Sequence, residues 1–124
     1  MYIFKSKWFS KWAKKECLTD KALQETIREL ENRLNDGEIG GHVYKKRAAI
    51  QGQGERGGFR TIIAFTVGDK SFFMFGFSKN QRDNIDKKEL KTLKLMAKEL
   101  LSYSNIQLKK AIESGESVEV KNCE

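Results

Sequence analysis

The strongest periodic signal in the chain runs from Phe59 to Val67. Phe59, Thr61, Ile63, Phe65 and Val67 alternate there with Arg60, Ile62, Ala64 and Thr66, and a period of two predicts a strand. Gly68-Asp69-Lys70 is a tight-turn sequence. Beyond it, Ser71 to Phe77 holds four phenylalanines and Met74 and is apolar on both faces, which predicts an interior strand covered on both sides. Upstream, Gly40-Gly41 opens a stretch from His42 to Ile50 that reads as another strand. A glycine-rich connection, Gly52 to Gly58, joins it to the Phe59 run. These three strands form an antiparallel meander.

Helical spacing dominates on either side. Tyr2-Ile3-Phe4 reads as a short opening strand, after which Ser6 caps a helix carrying Trp8, Phe9, Trp12 and Ala13 on one side. A second helix starts at Thr19 or Asp20 and places Leu23, Ile27, Leu30 and Leu34 in a 4-3-4 spacing, with Asn35-Asp36-Gly37 as its stop. Downstream, Asp86 and Glu89 have capping-box spacing ahead of the stripe Leu90, Leu93, Met96, Ala97 and Leu100. Ser104 or Asn105 caps a last helix through Ile106, Leu108 and Ile112, closed by Gly115. Val118 and Val120 alternate with charges as an edge strand. Strand, two helices, three strands and helices make an α+β fold with helices packed on an antiparallel sheet.

A length of 124 residues suits one domain over 1–124. Charged residues make up 33% of the chain and the formal net charge is +7, which favours polyanionic or acidic partners. Cys17 lies among apolar residues, as core, and Cys123 near the end. They form no C-x-x-C pair or disulfide framework, and a reducing cytoplasm fits them. Met1 to Trp12 lacks the continuous apolar stretch of a signal peptide, and no run reaches transmembrane length.

The charge is not evenly spread. Lys45, Lys46, Arg47, Arg56 and Arg60 face Glu55 alone between residues 40 and 60, and Lys79 and Arg82 follow the phenylalanine strand. Alternation sends Lys45 and Arg47 to one face and Tyr44 and Lys46 to the other. Arg60 at the start of one strand and Lys79 past the end of the next belong to the same end of the sheet. Cations converging on a rigid sheet edge can hold a phosphodiester and stabilise its transition state; lysines that only protect an edge from aggregation give the same pattern. His42 is the single histidine, which excludes a two-histidine ribonuclease mechanism. No His, Cys or carboxylate cluster has metal-ligand spacing, so neither a metal nor any other cofactor is expected. Gly52-Gln53-Gly54 and Gly57-Gly58 lack the Gly-Lys-Ser/Thr ending of a nucleotide loop.

Two runs carry a resemblance. The first is Tyr44-Lys45-Lys46-Arg47-Ala48-Ala49 with Gly52-Gln53-Gly54 and Gly57-Gly58-Phe59-Arg60-Thr61-Ile62. The second is Phe75-Gly76-Phe77-Ser78-Lys79-Asn80-Gln81-Arg82-Asp83-Asn84-Ile85 with Glu89-Leu90. Together, over residues 38 to 121, they resemble RelE/HigB toxins of type II toxin–antitoxin systems, in the RelE/ParE superfamily. The resemblance implies a compact RelE-like fold and a ribosome-dependent endoribonuclease that cuts messenger RNA without a metal, by attack of the 2′-hydroxyl on the adjacent phosphate. It also implies an antitoxin partner of helix-turn-helix type. On that reading Arg60 and Arg47 hold the scissile phosphate and Lys45 or Lys79 transfers the proton, while Lys46, Arg56 and Arg82 contact RNA. The chain departs from the family at Glu55, where similar loops carry lysine, and in lacking a tyrosine between Lys79 and Ile85. A non-catalytic basic module of the same fold, binding RNA or protein, is the alternative.

Overall fold

The structure, a computed structural model, describes residues 2–32, 37–50, 54–66, 70–79, 81–82 and 84–120, with the backbone alone at 37, 49–50 and 54–57. The chain runs β1 (Tyr2–Ser6), α1 (Lys7–Lys15), α2 (Asp20–Glu31), β2 (Gly37–Gly40), β3 (Val43–Ile50), β4 (Gly54–Phe65), β5 (Lys70–Ser78), α3 (Lys87–Leu101), α4 (Asn105–Glu113) and β6 (Ser117–Glu119). The six strands form one sheet in the order β2-β3-β4-β5-β1-β6. The predicted meander is present as β3-β4-β5. The parallel pairing of β1 with β5, Tyr2 opposite Lys70 and Phe4 opposite Phe72, comes from tertiary packing that no local pattern encodes.

Each helix start is fixed by the predicted chemistry. Ser6 Oγ accepts the Phe9 N–H at 3.0 Å and donates to the Met74 carbonyl at 3.1 Å, so one hydroxyl caps α1 and ties it to β5. Thr19 caps α2 and Ser104 caps α4. At α3 both arms of the capping box are present: Asp86 Oδ1 accepts from Glu89 N at 2.7 Å, and Glu89 Oε1 accepts from Asp86 N at 3.1 Å.

The sheet is buried on both faces. On one side α1 and α2 cover Ala48, Phe59, Ile63, Phe65 and Phe73 with Phe9, Ala13, Leu23, Ile27 and Leu30. On the other, Leu93, Ala97 and Leu100 of α3 cover Val43, Ile62, Ala64, Phe72, Met74 and Phe77. Lys5 on β1 donates to Asp20 at the start of α2 at 2.8 Å, holding the first layer to the sheet.

Several expectations change. Cys17 is exposed, not core, and has φ +60°. It follows the C-cap of α1: its N–H bonds to Lys14 O at 3.2 Å, and the Leu18 N–H bonds to Ala13 O at 2.8 Å. That is a Schellman ending, which buries the next residue, Leu18, instead. Gly40-Gly41 does not open a strand but belongs to a hairpin. Gly41 and His42, both with positive φ, connect β2 to β3, as a two-residue type I′ turn requires. β2 has one apolar residue between glycines, too little for a periodic signal. β4 begins at Gly54, so much of the glycine-rich connection is strand. The second helix ends at Glu31; Leu34, Asn35 and Asp36 lie outside the described residues, as do Val67, Gly68, Asp69 and Cys123. α4 buries Leu108 and Ala111 and leaves Ile106 70% exposed, since a nine-residue helix at the periphery covers only a narrow stripe.

Gly76 shows how closely α1 meets the sheet. A Cβ there would stand 2.3 Å from Cζ3 of Trp12. Gly76→Ala should therefore cost roughly 1–3 kcal/mol as an overpacking change, read as a lower denaturant midpoint. In a Trp12→Leu background the same change should cost far less; an equal cost in both backgrounds would contradict this contact.

Arg82 clamps the start of α3. Its Nη1 donates to Glu89 Oε2 at 3.0 Å, its Nη2 donates to Oε1, and its Nε donates to Asn84 O at 3.0 Å. The Arg82 hydrogen bonds, then the Asp86 backbone N–H, hold the Glu89 carboxyl down at about 2, against an ordinary 4.5. Because the folded value is the lower one, this contribution to stability is present above about 4.5 and is lost as pH falls towards about 2. An NMR titration should find Glu89 still ionised where ordinary glutamates have protonated. Arg82→Gln should return its midpoint towards 4.5, and an unchanged midpoint would disprove the clamp.

Candidate nucleic-acid interface

Strand register assembles the cations. Arg47 on β3 is the Cα partner of Arg60 on β4, and Arg60 is the partner of Phe77 on β5. In-register residues of antiparallel strands point to the same face about 5 Å apart. The guanidinium of Arg82 lies over the Phe77 ring, 5.4 Å from its centroid. One row thus crosses the sheet on the α3 side: Arg47, Arg60, Phe77, Arg82. Lys45, partner of Ile62, lies on the same face one step along β3.

Arg60 is the unusual member. The sequence places it at a basic edge, clear of the interior, but the structure leaves it only 9% exposed. Among the described residues it has no carboxylate or other hydrogen-bonding partner. The side chain is covered, yet none of its guanidinium nitrogens is among the buried polar atoms that lack a partner, so the fork stays open to the surface of the sheet. A planar fork of donors fixed between two strands matches the oxygens of a phosphodiester. Arg47 beside it is exposed.

The other sequence-selected residues fall as follows. Lys79 is exposed at the turn after β5, two residues past Phe77 and at the same end of the sheet. Arg56 lies in β4, its side chain outside the described residues; so does that of Glu55. Lys46 points to the α2 side, only 7% exposed, with its Nζ 3.5 Å from Glu29 Oε2. The row and Lys46 are on opposite faces. Arg82 joins the row only through Phe77, and its fork is already occupied by Glu89. Local pattern shows Glu89 only as a helix cap; the clamp is not visible in it, because the seven residues from Arg82 to Glu89 span a loop with no periodic signal.

Tyr44 and Tyr103 both lie away from the row. Tyr44 lies on the α2 side, edge-on to Phe65 at 5.6 Å. Burial first, then Glu38, raises its hydroxyl above the ordinary value. The carbonyl of Tyr103 accepts from Lys70 Nζ at 2.7 Å, at the opposite end of β5 from Phe77. Burial, then Glu116 and Glu99, raises its hydroxyl too. His42 is a turn residue at the far end of β3. Among the described residues no group of three or more His, Cys, Asp or Glu could hold a metal ion, and no helix is long and apolar enough to cross a membrane.

The family model described as "RelE toxin of RelE / RelB toxin-antitoxin system" matches residues 1–120. No curated protein matches the chain. The family match takes in every strand of the sheet and all four members of the row, and on that basis the chain belongs to the RelE toxin family of toxin–antitoxin systems.

Proposed function

We propose that this toxin is a ribosome-dependent endoribonuclease that cleaves messenger RNA in the cytoplasm, and that its antitoxin is a helix-turn-helix protein. The observation that carries the nuclease reading is Arg60, nine-tenths buried, without a carboxylate partner among the described residues and in register with Arg47.

In this mechanism the two arginines hold the non-bridging oxygens of the scissile phosphate. The 2′-hydroxyl gives its proton to a lysine amine, from Lys45 or Lys79, as its oxygen attacks phosphorus. The bond from phosphorus to the 5′-oxygen breaks, and that oxygen takes up a proton. The products carry a 2′,3′-cyclic phosphate and a 5′-hydroxyl. Arginine keeps its charge throughout and serves as the clamp, whereas lysine can exchange a proton. The fixed guanidinium forks are preorganised for the extra charge of the pentacovalent state, where such donors act most strongly. No metal takes part. Arg56 extends the basic track for the flanking RNA, and Arg82, its fork held by Glu89, bounds that track beside Phe77. The absence of a tyrosine from the described part of the row favours a second reading, in which the same surface binds RNA without cutting it.

Induction without antitoxin should arrest growth of a sensitive bacterium and fragment translated messages. Arg60→Met, which keeps most of the buried stem and removes the fork, should lower cleavage by ~10²–10³-fold with little change in melting. Arg60→Lys should recover part of the rate, and Lys109→Ala on α4 should change nothing. Near-wild-type cutting by Arg60→Met would remove the centre of this mechanism. Intact transcripts with retained RNA binding would establish the second reading.

A further inference from the structure

A second basic feature lies away from the row. The exposed side of α3 and the β2–β3 turn enclose a groove of about 530 Å³, lined by His42, Lys91, Lys94, Leu95, Lys98 and Leu101 with the adjoining backbone. Among the described residues no carboxylate lines it. None of the three lysines has a carboxylate partner among the described residues. Lys91, Lys94 and Lys98 are spaced three and four apart and so share one helix face over two turns, about 10 Å. Lys94 lies over the hairpin, its Nζ 3.4 Å from where a Cβ on Gly40 would be.

The floor differs from the rim. Leu95 sits between the lysines and is 63% exposed, the largest exposure of any leucine in the core-forming helix α3. Leu101 and the lysine methylenes continue the apolar surface. Phosphates would be met by the ammonium groups but would gain nothing from Leu95, and the ring that lines the groove is His42 at the turn, with no Phe, Tyr or Trp among the described lining residues to stack a base. An apolar floor with a cationic rim matches an amphipathic helix or turn that carries aliphatic side chains on one face and Asp or Glu beside them. The net charge of +7 favours an acidic partner as well.

We propose that the α3 groove is a docking site for an acidic, amphipathic segment of the antitoxin. The inference rests on membership of the toxin family, not on the nuclease reading. The site is separate from the row: β3 pairs Val43 with Ala64 beside the groove and Arg47 with Arg60 at the row, four residues or about 13 Å along the strand. Occupying the groove would anchor the antitoxin next to the row through contacts that RNA does not need.

The test uses the toxin and its antitoxin, each purified, with affinity measured by calorimetry at low and moderate salt. Lys94→Glu/Lys98→Glu should weaken binding by about 10-fold or more at low salt and flatten its salt dependence. Leu95→Ser, a change at an exposed position, should weaken binding with the salt dependence unaltered. Lys109→Glu/Lys110→Glu on α4 should have no effect. In the complex, hydrogen exchange should slow along Lys91–Leu101. Unchanged antitoxin affinity in both groove variants would overturn the proposal. So would a loss confined to binding of a short single-stranded oligouridylate, with Leu95→Ser silent, which would make the groove an RNA contact. Cleavage plays no part in these readouts, so failure of the nuclease reading would leave them interpretable.

Discussion

From Phe59 to Phe65 and from Ser71 to Phe77, the two central strands β4 and β5 are covered on both faces. Phe59, Ile63, Phe65 and Phe73 pack under α1 and α2, while Ile62, Ala64, Phe72, Met74 and Phe77 pack under α3. A strand buried on both faces has little freedom to twist or slip, because a slip of one residue would exchange the contents of two cores. The polar side chains on these strands meet different fates: the Ser71 hydroxyl on β5 is buried with no hydrogen-bond partner among the described residues. Thr61, fully buried, donates to the carbonyl of Lys46 at 2.7 Å. Arg60 shows no such internal partner among the described residues, and it stands between Arg47 and Phe77 in the strand register.

The start of α3 supports that position. Asp86 and Glu89 cap the helix, and Glu89 also grips Arg82, whose guanidinium lies over Phe77. Phe77 in turn is the register partner of Arg60. A helix cap, an ion pair and a cation–π contact thus connect the α3 layer to the cation row. The row is set by strand pairing on one side and by a helix terminus on the other. This is the kind of support a transition-state clamp requires, since a donor that must reorganise gives up much of its effect.

Much of this was legible in the sequence. The Phe59 run and the four phenylalanines of β5 had only one sensible reading, and the caps at Ser6, Thr19, Asp86 and Ser104 rest on local hydrogen bonds that need no tertiary knowledge. Alternation along β3 separated Lys45 and Arg47 from Lys46. Other features depend on contacts between distant segments. The parallel seat of β1 is fixed by β5, and β2 is a strand only because β3 pairs with it. Cys17 looked apolar by its neighbours, but the Schellman ending turns it out and Leu18 in. The burial of Arg60 follows from covering both faces of β4, whereas alternation alone assigns one face to solvent. The Arg82–Glu89 clamp crosses a loop and carries no period at all.

Attack by the 2′-hydroxyl on a phosphodiester held by arginines fixes the ends of the cut RNA. Purified toxin should be added to a reconstituted translation system, and the fragments of a translated message mapped by primer extension and tested for end chemistry. The expected cuts are ribosome-dependent and leave a 5′-hydroxyl and a 2′,3′-cyclic phosphate, unaffected by a zinc-selective chelator with magnesium kept in place. A 5′-phosphate on the downstream fragment, or cutting that zinc removal abolishes and zinc alone restores, would contradict a phosphodiester held by arginines and attacked by its own 2′-hydroxyl.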